Sequence, residues 1–156
     1  MNVRTDHVTV FVARVDARGT SHEFLQLRRA AADYLAGSWQ LVRGCIEPGE
    51  TAVAAALREL GEEAGLVPAE FYSLGSVETF YMWHDDFIWH SICFCAIVNR
   101  AAPVVLNDEH DASRWIPRAE FDAALTWASE RRILPDLCRD VLDDGLAKPH
   151  LHVKLP

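Results

Sequence analysis

Between Thr51 and Ala64 the chain is rich in Ala, Leu and Glu, and its apolar members Val53, Ala56, Leu57, Leu60 and Ala64 recur at i, i+3, i+4, i+7 and i+11. Gly65 suits a left-handed cap after this run, and Pro68 forbids continuation, so the segment is one amphipathic helix with defined ends. Its apolar stripe requires a second layer to pack against. On the same helix Glu59, Glu62 and Glu63, at i, i+3 and i+4, project from one face. Like charges so spaced destabilise a helix by roughly 0.2–0.5 kcal/mol per pair. In a cleft the cost is greater, since two carboxylates about 4 Å apart repel by roughly 4 kcal/mol at an effective dielectric near 20. Such a cluster is either a solvated acidic face or a set of hard oxygen ligands, which suit Mg²⁺ or Mn²⁺ bridged to substrate phosphates.

The flanking segments supply the second layer. His7 to Val15 and His22 to Arg28 read as a hairpin joined by Asp16-Ala17-Arg18-Gly19. A polar or small-residue stretch runs to Ser38, and Trp39 to Arg43 reads as a short strand before the Glu47-Pro48-Gly49 turn. Phe71 to Trp83 and Phe87 to Val98 form a second, longer hairpin around His84-Asp85-Asp86. Ser113 to Ile116 is a short strand, helices follow from Pro117 to about Ala128 and from Arg131 to Leu142, and the residues from Gly145 read as a loose tail. Strands and helices mix without a βαβ rhythm. The expectation is a single α+β domain over residues 1–156, an α/β/α sandwich with a mixed sheet between helices.

The net charge of −8 argues against nucleic acid and anionic membrane as partners, which need basic surface. The charge is uneven. Gly44 to Leu66 holds five glutamates and one arginine, half the net total, whereas residues 1–43 carry a slight basic excess. No apolar run approaches a membrane span, and Met1 to Asp6 lacks a signal-peptide core. Cys45, Cys93, Cys95 and Cys138 lack the C-x2-C spacing of a metal site and read as free thiols. A cytoplasmic location is expected.

From Gly44 the sequence runs Gly44, five residues, Glu50, seven residues, then Arg58-Glu59-Leu60-Gly61-Glu62-Glu63-Ala64-Gly65-Leu66. This matches G-x5-E-x7-R-E-U-x-E-E-x-G-U, with U aliphatic, at every fixed position. The segment resembles the signature of the Nudix hydrolase superfamily, and the flanking elements resemble the Nudix fold. The resemblance implies a loop-helix-loop box over residues 44–66. It implies that Glu59, Glu62 and Glu63 bind divalent metal, Mg²⁺ or alternatively Mn²⁺, with one carboxylate serving as base. Gly44 would offer a backbone carbonyl to the metal, and Glu50 and Arg58 would pair to orient the entry loop. Gly61 occupies an unspecified position and has no functional reading.

Outside the box, the family often draws a further acid from a later loop, and Glu109 in Asn107-Asp108-Glu109-His110-Asp111 is the candidate, with His110 beside it. Arg28, Arg29 and Arg43 are candidates to grip phosphate. Trp83 is the candidate to stack a base, while Trp39, Trp115, Cys93 and Cys95 read as core. Members that cleave dATP-like nucleotides and dihydroneopterin triphosphate are similar through Phe24 to Arg29, Trp39 to Gly44 and Glu109 to Trp115. Val42-Arg43-Gly44 stands where diadenosine polyphosphate hydrolases carry Pro-Lys-Gly, although Tyr81 lies near a tyrosine of that group. The resemblance implies a Mg²⁺-dependent pyrophosphohydrolase of a nucleoside diphosphate linked to X. A (deoxy)nucleoside or pterin triphosphate is the favoured substrate, diadenosine polyphosphate hydrolysis the alternative, and a non-catalytic nucleotide-binding module the third reading. A small nucleotide is the expected partner, and a homodimer is allowed.

Overall fold

The computed structural model describes residues 2–31 and 35–155. Residues 32–34, part of the polar stretch before Ser38, lie outside the described residues. The strands are β1 (Asn2–Val15), β2 (His22–Arg29), β3 (Trp39–Gln40), β4 (Val42–Cys45), β5 (Pro68–Met82), β6 (Phe87–Val98) and β7 (His110–Pro117). The helices are α1 (Ala52–Ala64), α2 (Arg118–Ala124), α3 (Ala128–Leu137) and α4 (Lys148–Leu151), with a π-helical turn at Cys138–Leu142 after α3.

The sheet runs β3-β2-β1-β6-β5, with β4 added to β1 and β7 to β2. β1 and β6 are parallel, and the other pairings are antiparallel, so the sheet is mixed. β1 is central, and Val8 to Ala13 is buried on both faces. Its alternation divides two cores. Val8, Val10 and Val12 join Ala56, Leu60 and Ala64 of α1 on one face. Phe11 and Ala13 join Phe121 of α2 and Ile133, Leu134 and Leu137 of α3 on the other. The expected α/β/α sandwich is therefore present. Cys93 and Cys95 lie in the second core as small buried side chains, and Trp115 packs against the first. The four thiols are all free. No helix among the described residues is long and apolar enough to cross a membrane.

α1 begins and ends where its sequence requires. The Thr51 hydroxyl accepts from Ala54 N at 3.1 Å as an N-cap. Gly65 closes the helix at φ 65°, its N–H donating to Gly61 O at 3.0 Å.

The C-terminal segment corrects the expectation of a loose tail. α4 carries it back to β5, where Val153 N donates to Phe71 O at 2.8 Å and His152 bridges Tyr72. Val153 and Leu155 pack against the first core. Proline and glycine interrupt regular structure in this segment, but its apolar residues find an unpaired sheet edge.

Candidate active site

α1, the β4 loop that precedes it, the β5–β6 hairpin and the start of α3 enclose a cleft of about 690 Å³. Its lining includes Arg29, Gly44, Glu59, Glu63, Glu78 and Glu109. Aromatic side chains Phe80, Tyr81, Trp83 and Trp127 complete the walls. Trp83 is 70% exposed, so it forms the rim.

The helical face that carries the three box glutamates is not uniform. Successive residues turn by about 100°, so Glu62 and Glu63 fall to opposite sides of Glu59. Glu63 is buried at 5% exposure, Glu59 is intermediate, and Glu62 points outward and does not line the cleft. Burial raises the proton affinity of Glu63 well above that of an ordinary carboxylate, and the charges of Glu59 and Glu109 add to the effect. Glu59 is raised for the same first reason, and the Arg58 contacts offset only part of it.

Arg58 organises the outer side of the cluster. Its Nε and Nη2 donate to the two Glu50 oxygens, each at 3.0 Å, in a bidentate pair. Nη1 reaches Glu59 at 2.7 Å and Glu62 at 3.2 Å, and Nη2 also donates to Cys45 O at 2.9 Å. Glu50 in turn accepts from Glu47 N at 3.0 Å, so one arginine ties the entry loop to α1. The expected Glu50–Arg58 contact is thus present.

Gly44 has a steric role that its sequence position does not announce. A Cβ built there would stand 2.0 Å from Glu59 Cδ and from Glu59 Oε1. Only glycine lets the Glu59 carboxylate lie flat against the β4 backbone, next to the carbonyls a metal could use.

The phosphate-gripping candidates separate. Arg29 lines the cleft. Arg28 does not, and pairs with Asp111 at 2.7 Å on an exposed surface. Arg43 also lines the cleft, but its guanidinium is engaged. Its Nη2 donates to Glu78 at 2.9 Å and to Glu130 at 2.8 Å, and both carboxylates have only 1% side-chain exposure. A guanidinium held between two buried anions spends most of its charge on them, which leaves less of it for phosphate. Burial alone would raise Glu78, but the Arg43 charge and hydrogen bonds from Arg43, Ser129 and Thr9 hold it below the usual range. Glu130, which shares that one guanidinium, is raised by burial despite it.

Glu109 lines the cleft as expected from its loop. His110 is buried, with Nδ1 3.2 Å from Asn107 Oδ1, and burial, reinforced by the Arg29 charge, lowers its pKa. Its ring holds the Asn107 turn and is not exposed. Glu78, Glu130, Ser129, Trp127, Gln40 and His7 escaped sequence reasoning, because each reaches the site through the sheet or α3 rather than through the box.

As the side chains stand, no group of three or more His, Cys, Asp or Glu among the described residues is drawn together at metal-binding distance. The donor set still fits a hard divalent cation. Buried carboxylates whose anionic forms are disfavoured by one another are the ligands such an ion stabilises.

A mixed sheet between two helical layers, with a loop-helix-loop of acidic residues opening on an aromatic cleft, defines a Nudix-type protein. The NUDIX domain family matches residues 5–137, and the chain belongs to it. Among curated proteins it is similar to the MutT4 protein of Mycobacterium tuberculosis, 25% identical over 142 residues, covering 90% of this chain and 50% of that one. The chain spans half or less of the length of the curated relatives it matches. Among solved structures it superposes on a C. elegans Ap4A hydrolase binary complex with TM-score 0.72 at 22% identity, covering 88% of this chain and 97% of that one. The E. coli dihydroneopterin triphosphate pyrophosphohydrolase gives TM-score 0.68 at 22% identity, covering 89% and 96%. At those identities the likeness is one of fold.

Proposed function

We propose that this chain is a divalent-metal-dependent, cytoplasmic hydrolase of a phosphoanhydride bond in a nucleoside diphosphate linked to a second moiety. The observation that carries the reading is the convergence of Glu59, Glu63 and Glu109 on one cleft that also presents Arg29 and four aromatic side chains. Family membership and the intact Gly44–Leu66 box support it. The carboxylates of Glu59 and Glu63 and the Gly44 backbone, with Glu62 from the outer side of the helix, would hold Mg²⁺, with Mn²⁺ as a substitute. A cation bound there supplies charge neutralisation of the pyrophosphate and acidifies bound water.

The chain's own residues do the rest. Phe80, Tyr81, Trp83 and Trp127 offer flat faces to a planar base. Gln40 also lines the cleft, and its buried Nε2 has no hydrogen-bond partner among the described residues, so a ring nitrogen or carbonyl of the base would supply an acceptor. Arg29 places positive charge near the phosphates. Glu63, buried in the cleft beside Glu59, is the carboxylate placed to take a proton from attacking water.

The favoured substrate is a (deoxy)nucleoside or pterin triphosphate, cleaved to monophosphate and pyrophosphate. A dinucleoside polyphosphate is the second reading, favoured by the open rim, where Tyr81 and Trp83 leave aromatic surface for a second base. The test is a panel of nucleoside triphosphates, pterin triphosphate and diadenosine tetraphosphate with Mg²⁺ or Mn²⁺ and identification of products. Monophosphate plus pyrophosphate is the expected result, ATP plus AMP from diadenosine tetraphosphate selects the second reading, and binding without turnover under either metal overturns the enzyme assignment.

A further inference from the structure

The buried ion triad of Arg43, Glu78 and Glu130, at the wall of the cleft, has no role in the reaction just described. Arg43 lies on β4, one residue before Gly44. Its Nη2 donates to Glu78 of β5 at 2.9 Å and to Glu130 of α3 at 2.8 Å. Glu78 also accepts from Ser129 Oγ at 2.6 Å and Thr9 Oγ1 at 3.0 Å, and Glu130 accepts from Trp127 N at 3.2 Å. One side chain therefore ties β4 to β5 and to the first turn of α3. The backbone of the same stretch meets the box carboxylates. Arg43 N faces Glu63 Oε2 at 3.4 Å, and Gly44 touches Glu59 so closely that no Cβ fits between them. The β4 backbone is thus in direct contact with both carboxylates, and a displacement of β4 changes the surface they rest on.

Stability alone is a poor reason for this arrangement. Two carboxylates share one guanidinium, which leaves net negative charge in the interior, and apolar side chains of similar volume often serve a fold as well or better. α3 already has Ile133, Leu134 and Leu137 to dock it on the second core. We propose that Arg43, clamped by Glu78 and Glu130, is a positioning residue that holds the β4 backbone against the Glu59 and Glu63 carboxylates of α1 and so sets how they face metal. This rests on the hydrolase reading above.

The test pairs steady-state kinetics with Mg²⁺ titration calorimetry on the full chain. Glu130→Gln keeps the size of the side chain and leaves the Arg43–Glu78 pair. It should lower kcat by about 10- to 100-fold and weaken Mg²⁺ binding by about tenfold, the range for residues that orient metal ligands. The KM for nucleotide should stay within about threefold, because no substrate contact is removed. A triple variant, R43M/E78L/E130L, replaces the whole triad with apolar side chains and should fold while showing the same losses. Wild-type kcat and Mg²⁺ affinity in either folded variant overturn the proposal. Loss of the fold in both overturns it too, because the triad would then serve the fold and not the site. The titration needs no turnover. If the unaltered protein hydrolyses nothing, the functional reading fails while the Mg²⁺ arm still decides this one.

Discussion

Two arginines flank the Gly44 loop, and each is held by glutamates, yet they live in different media. Arg58 has 24% side-chain exposure, and it meets Glu50, Glu59 and Glu62 at the rim of the cleft. Arg43 is at 13% against partners at 1%, in the interior of the sandwich. Water screens the first network and lets its members be exchanged among several carboxylates. The second has no such latitude, since an unpaired charge there has nowhere to go. The outer network is suited to yield a glutamate to a cation, and the inner one to keep a backbone in place.

The largest expected effect separates the two by stability. Arg43→Met strips from a pair of buried carboxylates the cation that pairs with both and should cost about 3–5 kcal/mol, read as a loss in denaturant midpoint. A loss under about 1 kcal/mol would mean that water reaches Glu78 and Glu130 and that the contrast in medium is wrong.

Acid titration probes the inner network from its other end. His7 Nδ1 lies 2.8 Å from Ser91 Oγ, Ser91 meets Thr9 at 2.7 Å, and Thr9 donates to Glu78. Burial, with the Arg43 charge adding to it, pushes the His7 pKa down to about 4. In the unfolded chain His7 takes a proton near its ordinary value of 6.5, so between those pH values the unfolded state binds more protons and the folded state loses stability as pH falls. The loss should reach roughly 3 kcal/mol near pH 4. His7→Gln, which removes the titration, should flatten the fall in chemical denaturation curves between pH 6.5 and 4. An unchanged slope would show that His7 is solvated.

Legibility in the sequence divided along the same line. The Arg58 network was readable because its partners lie within thirteen residues, inside one motif whose spacing is set by a helix and its entry loop. The partners of Arg43 are 35 and 87 residues away. Nothing local distinguishes such an arginine from one that grips phosphate, because only the sheet order that brings β5 near β4 and the packing of α3 against it decide its partners. Glu109 was legible for an intermediate reason: a cluster of acids just before a strand must emerge at one end of the sheet. The C-terminal segment misled because its prolines report only a local interruption of regular structure, whereas its docking depends on the β5 edge that it meets.

Gly44 joins the two networks, and Gly44→Ala tests that junction. The added methyl overlaps the end of the Glu59 side chain, which is flexible, so the fold should lose only about 1 kcal/mol or less. The displaced carboxylate matters more to chemistry, and kcat should fall about 100-fold, the cost of misplacing a catalytic group by about 1 Å. Comparable losses in stability and kcat would mean that Glu59 is anchored by the fold rather than by the loop.

The smallest effect is the most discriminating. Arg58→Met should cost about 1 kcal/mol of stability at low salt, since a half-exposed pair gains little over its hydrated members. At 1 M NaCl the Debye length contracts to about 3 Å, and most of that difference should vanish. The Arg43→Met deficit should persist at the same salt concentration, because ions cannot enter the space between Glu78, Glu130 and the guanidinium. Denaturant curves for the two variants at low and high salt therefore form one experiment. If both deficits shrink together, the two networks share a medium and the division of labour between them fails. If only the Arg58→Met deficit shrinks, the outer arginine is an exchangeable counter-ion for the carboxylates and the inner one is part of the frame.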